Sequence, residues 1–264
     1  MTFSTTAAES DRVSISGQRS ALFDLGSHLR LWPVAVVGLV LDLWSKSVAF
    51  DRLSPEHPLV LIPNVLSLRR VVNPGAMLGL GQGWGILFVL ASVLALLFVL
   101  YLFAHSSAGR RSLHVGLGLV LAGALGNLYD RTFHIADAVW SPPDPKSFHI
   151  FGTDRAIFCG KLLREDPSAW VMGAYPDGSG PQRHIPRSSE RYIKRAPIVR
   201  DFIKIDVRAG GIELWRWVFN IADALLVCGV GLLLMNFWAE HRRNARLAAA
   251  EAASDAVLRK NHET

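Results

Sequence analysis

The chain has 264 residues, half of them hydrophobic, with 28 lysines and arginines against 22 acidic residues for a formal charge of +6. Apolar runs approaching the roughly 20 residues that a helix needs to cross a bilayer set aside a soluble class and read as an integral membrane protein. No phosphate loop, dinucleotide fingerprint or nucleic-acid module accompanies the basic charge, which fits membrane topology and anionic lipid and excludes a nucleic-acid partner.

In chain order, residues 1–30 are polar and lack the charged start and apolar core of a cleavable signal peptide, so they read as a disordered cytoplasmic leader. Leu31 to about Phe50 forms a first span, with Asp42 and Lys46 spaced i, i+4 in its later half, close enough for an ion pair. The following loop, Leu59 to Leu68, is β-rich and broken by Pro63. It leads into Val71 to Gly79, where Asn73-Pro74-Gly75 reads as a turn that exposes an amide and bare backbone. A β-like platform at the membrane face suits an extended peptide held by main-chain hydrogen bonds. Trp84 to Ala104 is a second span without any charge, and Leu113 to about Tyr129 a third, short and Gly-rich, that ends on Asp130. Ile212 to about Trp238 is the fourth, with Trp215, Trp217 and Trp238 near its ends, where indole rings favour the interface. The expected fold is therefore an all-α membrane protein. It has four transmembrane helices, a small β-rich platform on the outer side and a long insertion between helices three and four. The membrane domain covers 31–238, interrupted by an outer-side insertion at 132–198, and 239–264 is an Ala- and charge-rich cytoplasmic tail able to continue helix four into water.

Short loops set the orientation. Arg110 and Arg111 between spans two and three, and Arg242, Arg243 and Arg246 after span four, place both termini in the cytoplasm. The insertion is also basic, with Arg183, Arg187, Arg191, Lys194 and Arg195, but long loops translocate largely regardless of charge.

Two short stretches share a pattern: Gly126-Asn127-Leu128-Tyr129-Asp130-Arg131 and Phe219-Asn220-Ile221-Ala222-Asp223. Each sets an Asn three residues before an Asp, so on a helix both share one face. Ionisable groups are costly within a membrane and mark function, and the natural partner of either Asp is the other. With Asp130 leaving span three and Asp223 on the order of 10 Å inside span four, the two meet toward the outer face. Two such carboxylates share a proton, and the reaction that suits them is peptide hydrolysis without metal, cofactor or covalent intermediate.

Taken together, Asp-x-x-Ser-Lys in span one, Asn-x-Gly-Ala, Gly-Ala-Leu-Gly-Asn-Leu-Tyr-Asp-Arg and Phe-Asn-x-Ala-Asp resemble lipoprotein signal peptidase, or signal peptidase II, over Leu31–Arg131 and Val199–Trp238. The resemblance implies an intramembrane aspartic endopeptidase of the bacterial inner membrane, inhibited by the cyclic peptide globomycin. It would cut diacylglyceryl-modified prolipoproteins before the lipidated Cys. By the same resemblance Asp130 and Asp223 look like the catalytic aspartates. Asn73, Asn127, Arg131 and Asn220 match substrate-site positions, with Gly75 and Gly126 beside them. Asp42 and Lys46 match a polar pair in the first helix, and Asp201 looks like an acidic residue preceding the last one.

Asp137, in Ile135-Ala136-Asp137, competes for that last position, although the apolar residues after Asp201 lead more directly into span four. Leu78 and Pro74 depart from the family pattern, and the insertion departs most. Two readings of it stand open: a small cap beside the site that affects substrate access, or a partly disordered loop. Cys159 and Cys228 lie at different depths and are not expected to pair. The competing class is a proton-coupled transporter using the Asp pair as a relay. Nothing in the sequence sets an oligomeric state.

Overall fold

The computed structural model describes residues 19–75, 85–142 and 155–262. Leu78 and the apolar pair Ile150-Phe151 lie outside the described residues.

Among the described residues there are four α-helices: α1 (Leu25–Arg52), α2 (Gly85–Ala104), α3 (Arg111–Phe133) and α4 (Ile221–His262). By length and composition α1, α3 and the Ile221–Ala250 part of α4 are long and apolar enough to cross a membrane, and Val89–Ala104 within α2 is a shorter apolar stretch. Helix α1 begins at Leu25 on an Asp24 cap whose carboxylate accepts from the Ser27 N–H, so residues 25–30 are helix rather than leader. A short 3-10 turn, Ala21–Phe23, precedes it, and the chain there docks on the α2–α3 connector: Ala108 N–H donates to Arg19 O, and Ala21 N–H to Ser106 O. The start of α1 and that connector thus share one side.

Helix α3 packs on α1 and α4 through small residues. A Cβ at Gly123 would meet Leu226 Cγ at 2.7 Å and the carbonyl of Ala222, and one at Gly118 would sit 2.7 Å from Leu31 O. Lipid tails offer no hydrophobic drive for helix association, so such close backbone approach supplies the packing. Leu31, Ala35, Leu117, Val120 and Leu121 fill the seam between α1 and α3, with Val99 and Phe103 of α2 against them.

The label all-α is corrected by what lies between the helices. Strands β1 (Leu59–Ile62) and β2 (Leu66–Asn73) pair with β8 (Val199–Ile205) and β11 (Val218–Phe219) in a four-stranded antiparallel sheet ordered β1-β2-β8-β11. This is the expected platform, with a fuller membership. The insertion folds into a second sheet: β3 (Ile135–Ser141), β4 (Arg155–Glu165), β5 (Ala169–Gly173), β6 (Arg183–Pro186) and β7 (Tyr192–Pro197), ordered β6-β5-β4-β3-β7. Val139, Trp170, Met172 and Ile185 form a core on it. These strands do not stand out in the sequence because each apolar run is short and richly charged. A two-stranded ribbon, β9 (Arg208–Ala209) with β10 (Ile212–Glu213), completes the set.

The fourth helix starts nine residues later than the apolar pattern suggested, at Ile221 and not Ile212. Ile212–Glu213 and Val218–Phe219 are spent on strand pairing, β11 lying against Ile203 and Lys204 of β8. Asp223 therefore sits in the first helical turn, not deep inside a span. Helix α3 conversely runs one turn past Asp130 to a His134 C-cap. The tail continues α4 as helix through His262.

Candidate active site

Helix α4 opens with a reciprocal cap. The Asn220 side-chain carbonyl accepts the Asp223 N–H at 3.0 Å, while the Asp223 carboxylate accepts the Asn220 N–H at 3.2 Å. The Asn-x-x-Asp spacing is here a capping box, which fixes both side chains at the helix start. Asp42 of α1 adds to it by accepting the Ala222 N–H at 2.8 Å, an anion at the positive end of the helix. The approach depends on Gly126 of α3, where a Cβ would run into the Asp42 carboxylate and stand 3.2 Å from Ala222 Cβ. Gly126→Ala is expected to lower stability by about 1–3 kcal/mol through overpacking, read as a lower thermal unfolding temperature in detergent.

Three asparagines are oriented by partners that leave no choice of amide direction. Lys46 has only donors, so at 3.1 Å it takes the Asn127 Oδ1 and turns the Asn127 Nδ2 to Asp223, 2.9 Å away. Asn220 Oδ1 is held by the Asp223 N–H, so its Nδ2 faces Asp201 Oδ1 at 2.7 Å and Asn127 Oδ1 at 3.2 Å. Asn73 Oδ1 accepts the Gly75 N–H at 2.9 Å, which directs its Nδ2 to Asp201 Oδ2, also at 2.9 Å. The Asn73-Pro74-Gly75 turn is thus an amide clamp on Asp201. Arg131, 7 % exposed, reaches from α3 to the Gly75 carbonyl and ties that turn to the helices.

The outcome is a buried cluster around two carboxylates, Asp201 on β8 and Asp223 on α4. They are bridged by Asn220, which accepts from the backbone of one and donates to the side chain of the other. Asp201 is 2 % exposed, and burial, followed by the charge of Asp223, pushes its carboxyl up to about 8. Such a displaced carboxyl beside a second one is what acid–base chemistry near neutral pH requires.

Asp130 stands elsewhere in the network. Its Oδ2 accepts the Arg200 N–H at 2.9 Å, and its Oδ1 accepts Arg200 Nε and Nη2 at 3.1 and 2.8 Å. Lys46 Nζ lies 3.4 Å away, its nearer carboxylate partner being Asp42 at 2.8 Å. Both Asp130 oxygens are thereby committed to cations and backbone. The repeated motif sets Asp130 against Asp223, but in the structure it is Asp201 that Asn220 links to Asp223, while Asp130 is held by Arg200. Asp137 is remote, accepting the Leu162 N–H at 2.9 Å inside the inserted sheet. Arg200 and His134 were missed by the sequence reading. Arg200 sits beside Asp201 in Val199-Arg200-Asp201, and a basic residue next to a buried acid is a signal for a second, structural carboxylate. Cys159 and Cys228 are both free, and burial pushes the Cys159 thiol up to about 12.

Helices of this length and apolarity, enclosing a carboxylate site under a sheet, define a multi-pass membrane enzyme. The fold is shared with a solved bacterial membrane enzyme at TM-score 0.52 and 19 % identity, covering 85 % of this chain and 93 % of that one. The pattern of the family described as signal peptidase (SPase) II matches residues 34–239, most of the chain. The chain belongs to the signal peptidase II family and is a peptidase. It is similar to the lipoprotein signal peptidase of Streptomyces griseus, 35 % identical over 57 % of this chain and 78 % of that protein. That of Rhodopirellula baltica is 28 % identical over 83 % and 76 %, and that of Clostridium novyi 36 % identical over 38 % and 68 %.

Proposed function

We propose that this protein removes signal peptides from diacylglyceryl-modified prolipoproteins, cutting before the lipidated Cys, with Asp201 and Asp223 as its catalytic pair. The observation that carries the choice of pair is the Asn220 bridge between them, set against the full engagement of Asp130 by Arg200. All four helices cross the inner membrane in this reading, both termini are cytoplasmic, and the site lies toward the outer face, where α3 ends and α4 begins.

The chemistry follows from the two environments. Asp201 holds the shared proton and donates it to the scissile carbonyl oxygen. Asp223, with Asn127 Nδ2 and the Asn220 N–H on its oxygens at the start of α4, carries the negative charge and takes a proton from the attacking water. The new C–O bond gives a gem-diol. Asp223 then returns its proton to the leaving nitrogen as the C–N bond breaks, and Asp201 recovers one from the diol. The Asn73–Gly75 turn presents main chain to an extended substrate, while the acyl chains stay in lipid.

The test is cleavage of a purified diacylglyceryl-prolipoprotein as a function of pH. The alkaline limb of kcat/KM is expected near pH 8, where Asp201 loses its proton, and the acid limb falls where the second carboxylate gains one. Full activity persisting well above that value would remove Asp201 from the role of acid.

A further inference from the structure

The insertion leaves and rejoins the membrane domain at one place. Ile135 is the cross-strand partner of Pro197, so β3 departs just after Asp130 and β7 returns just before Asp201. The inserted sheet would hang from this hinge, but the segment after β5 turns back to the site through Tyr175. The Tyr175 ring stands edge-on to Phe50 near the end of α1, with centroids 6.4 Å apart, and its carbonyl accepts from Arg70 Nη2 on β2. It packs on the cluster of Ala49, Phe50, Leu53 and Phe202, the last of these being the neighbour of Asp201. Its hydroxyl lies 2.8 Å from His134 Nδ1.

His134 occupies the junction. Its carbonyl accepts the Ile198 N–H at 3.0 Å, fixing the start of β8, and its Nε2 faces Asp130 Oδ1 at 3.8 Å. The Asp130 carboxylate calls for the Nε2–H tautomer, which leaves Nδ1 as acceptor for the Tyr175 hydroxyl. Asp130 in turn receives the Arg200 backbone N–H and two guanidinium donors, and Arg200 is bonded covalently to Asp201 in the chain. A continuous line of contacts therefore runs from the inserted segment to one of the two carboxylates.

We infer that Tyr175 is a positioning residue supplied by the insertion: its hydroxyl orients His134, His134 orients Asp130, and Asp130 holds the Arg200–Asp201 segment against Asn220. The inference rests on Asp201 and Asp223 being the catalytic pair. The insertion is then part of the catalytic frame and not a separate appendage. A residue acting this way changes the turnover of bound substrate more than its binding, because the substrate groove over Asn73 and Gly75 is untouched.

The experiment is a double-mutant cycle on the full-length enzyme with Tyr175→Phe and His134→Phe, which keep both rings and remove only the polar link. Cleavage of a purified diacylglyceryl-prolipoprotein and thermal unfolding are measured for each variant, with Asp201→Asn alongside. Tyr175→Phe is expected to lower kcat by about fivefold, the loss of one buried hydrogen bond, with KM unchanged. The double variant should match His134→Phe alone. Unchanged kcat in Tyr175→Phe, or losses that multiply in the double variant, overturn the positioning role while an inactive Asp201→Asn leaves the catalytic pair standing. An active Asp201→Asn overturns the pair itself, and this inference with it.

Discussion

Asp201→Asn and Asp223→Asn each lower cleavage of a diacylglyceryl-prolipoprotein by roughly a thousandfold or more, yet the Asp201→Asn protein unfolds at a higher temperature than wild type. The loss of activity follows from removing a proton donor or acceptor that the substrate must meet in the transition state. The gain in stability follows from linkage. Raised from 3.8 to about 8, the Asp201 carboxyl is ionised in the unfolded chain at neutral pH and protonated in the folded one. Folding at pH 7 must then take up a proton against a cost on the order of 4 kcal/mol, which a neutral side chain does not incur. One hydrogen bond is given back, since an amide facing the Asn73 and Asn220 donors accepts one of them and not both, at about 1 kcal/mol. The sign fixes the pH dependence: this carboxyl weakens the fold progressively as pH rises from about 4 toward about 8. The advantage of Asp201→Asn should therefore be larger at pH 8 than at pH 5. Thermal unfolding in detergent at the two pH values checks it, and a variant that is dead because it is misfolded would show the opposite shift.

The membrane class and the motif around Asp223 were legible because each depends on residues close together in sequence. Asn220 and Asp223 are three apart, and a capping box is a local object whose geometry the spacing dictates. Asp42 with Lys46 is legible for the same reason. The role of Asp130 was not. Its motif, Asn127-x-x-Asp130, copies the spacing of the other, but its decisive partner is Arg200, on the far side of the insertion. A carboxylate held by an arginine and one held by asparagines look identical in sequence, and only the long-range contact tells them apart. Asp201 was legible only by resemblance, as an acidic residue preceding the last helix, because nothing local to it shows its partners Asn73 and Asn220. The apolar run carried back to Ile212 put Asp223 on the order of 10 Å inside span four. With Ile212–Glu213 and Val218–Phe219 in strands, α4 starts at Ile221, directly after β11 pairs with β8. The insertion's sheet was hidden by its charge, since β6 and β7 carry arginines and lysines on their exposed positions.

The clearest separation of the two aspartates comes from Asp130→Asn. Here the expected result is a protein less stable by about 3–5 kcal/mol, the cost of stripping one partner from a buried ion pair. Asp130 is fully buried and Arg200 is 6 % exposed. Without the carboxylate, Arg200 loses its buried salt-bridge partner, while Lys46 keeps Asp42 at 2.8 Å. Arg200→Met should destabilise as well, since it strips both guanidinium donors from Asp130 Oδ1 and leaves Lys46, 3.4 Å from Oδ2, as its nearest charged partner. The double variant Asp130→Asn/Arg200→Met should recover part of the loss, because removing both members of a buried pair leaves no orphaned charge. Activity in these variants should track the folded fraction, reduced further by the slackened Arg200–Asp201 segment. Thermal unfolding and prolipoprotein cleavage, measured on the same preparations, distinguish this from chemistry. If Asp130→Asn is as stable as wild type and wholly inactive, its carboxylate acts on substrate and the Asp130–Asp223 pairing returns. If it is unstable and rescued by Arg200→Met, Asp130 is the anchor that sets the strand on which Asp201 works.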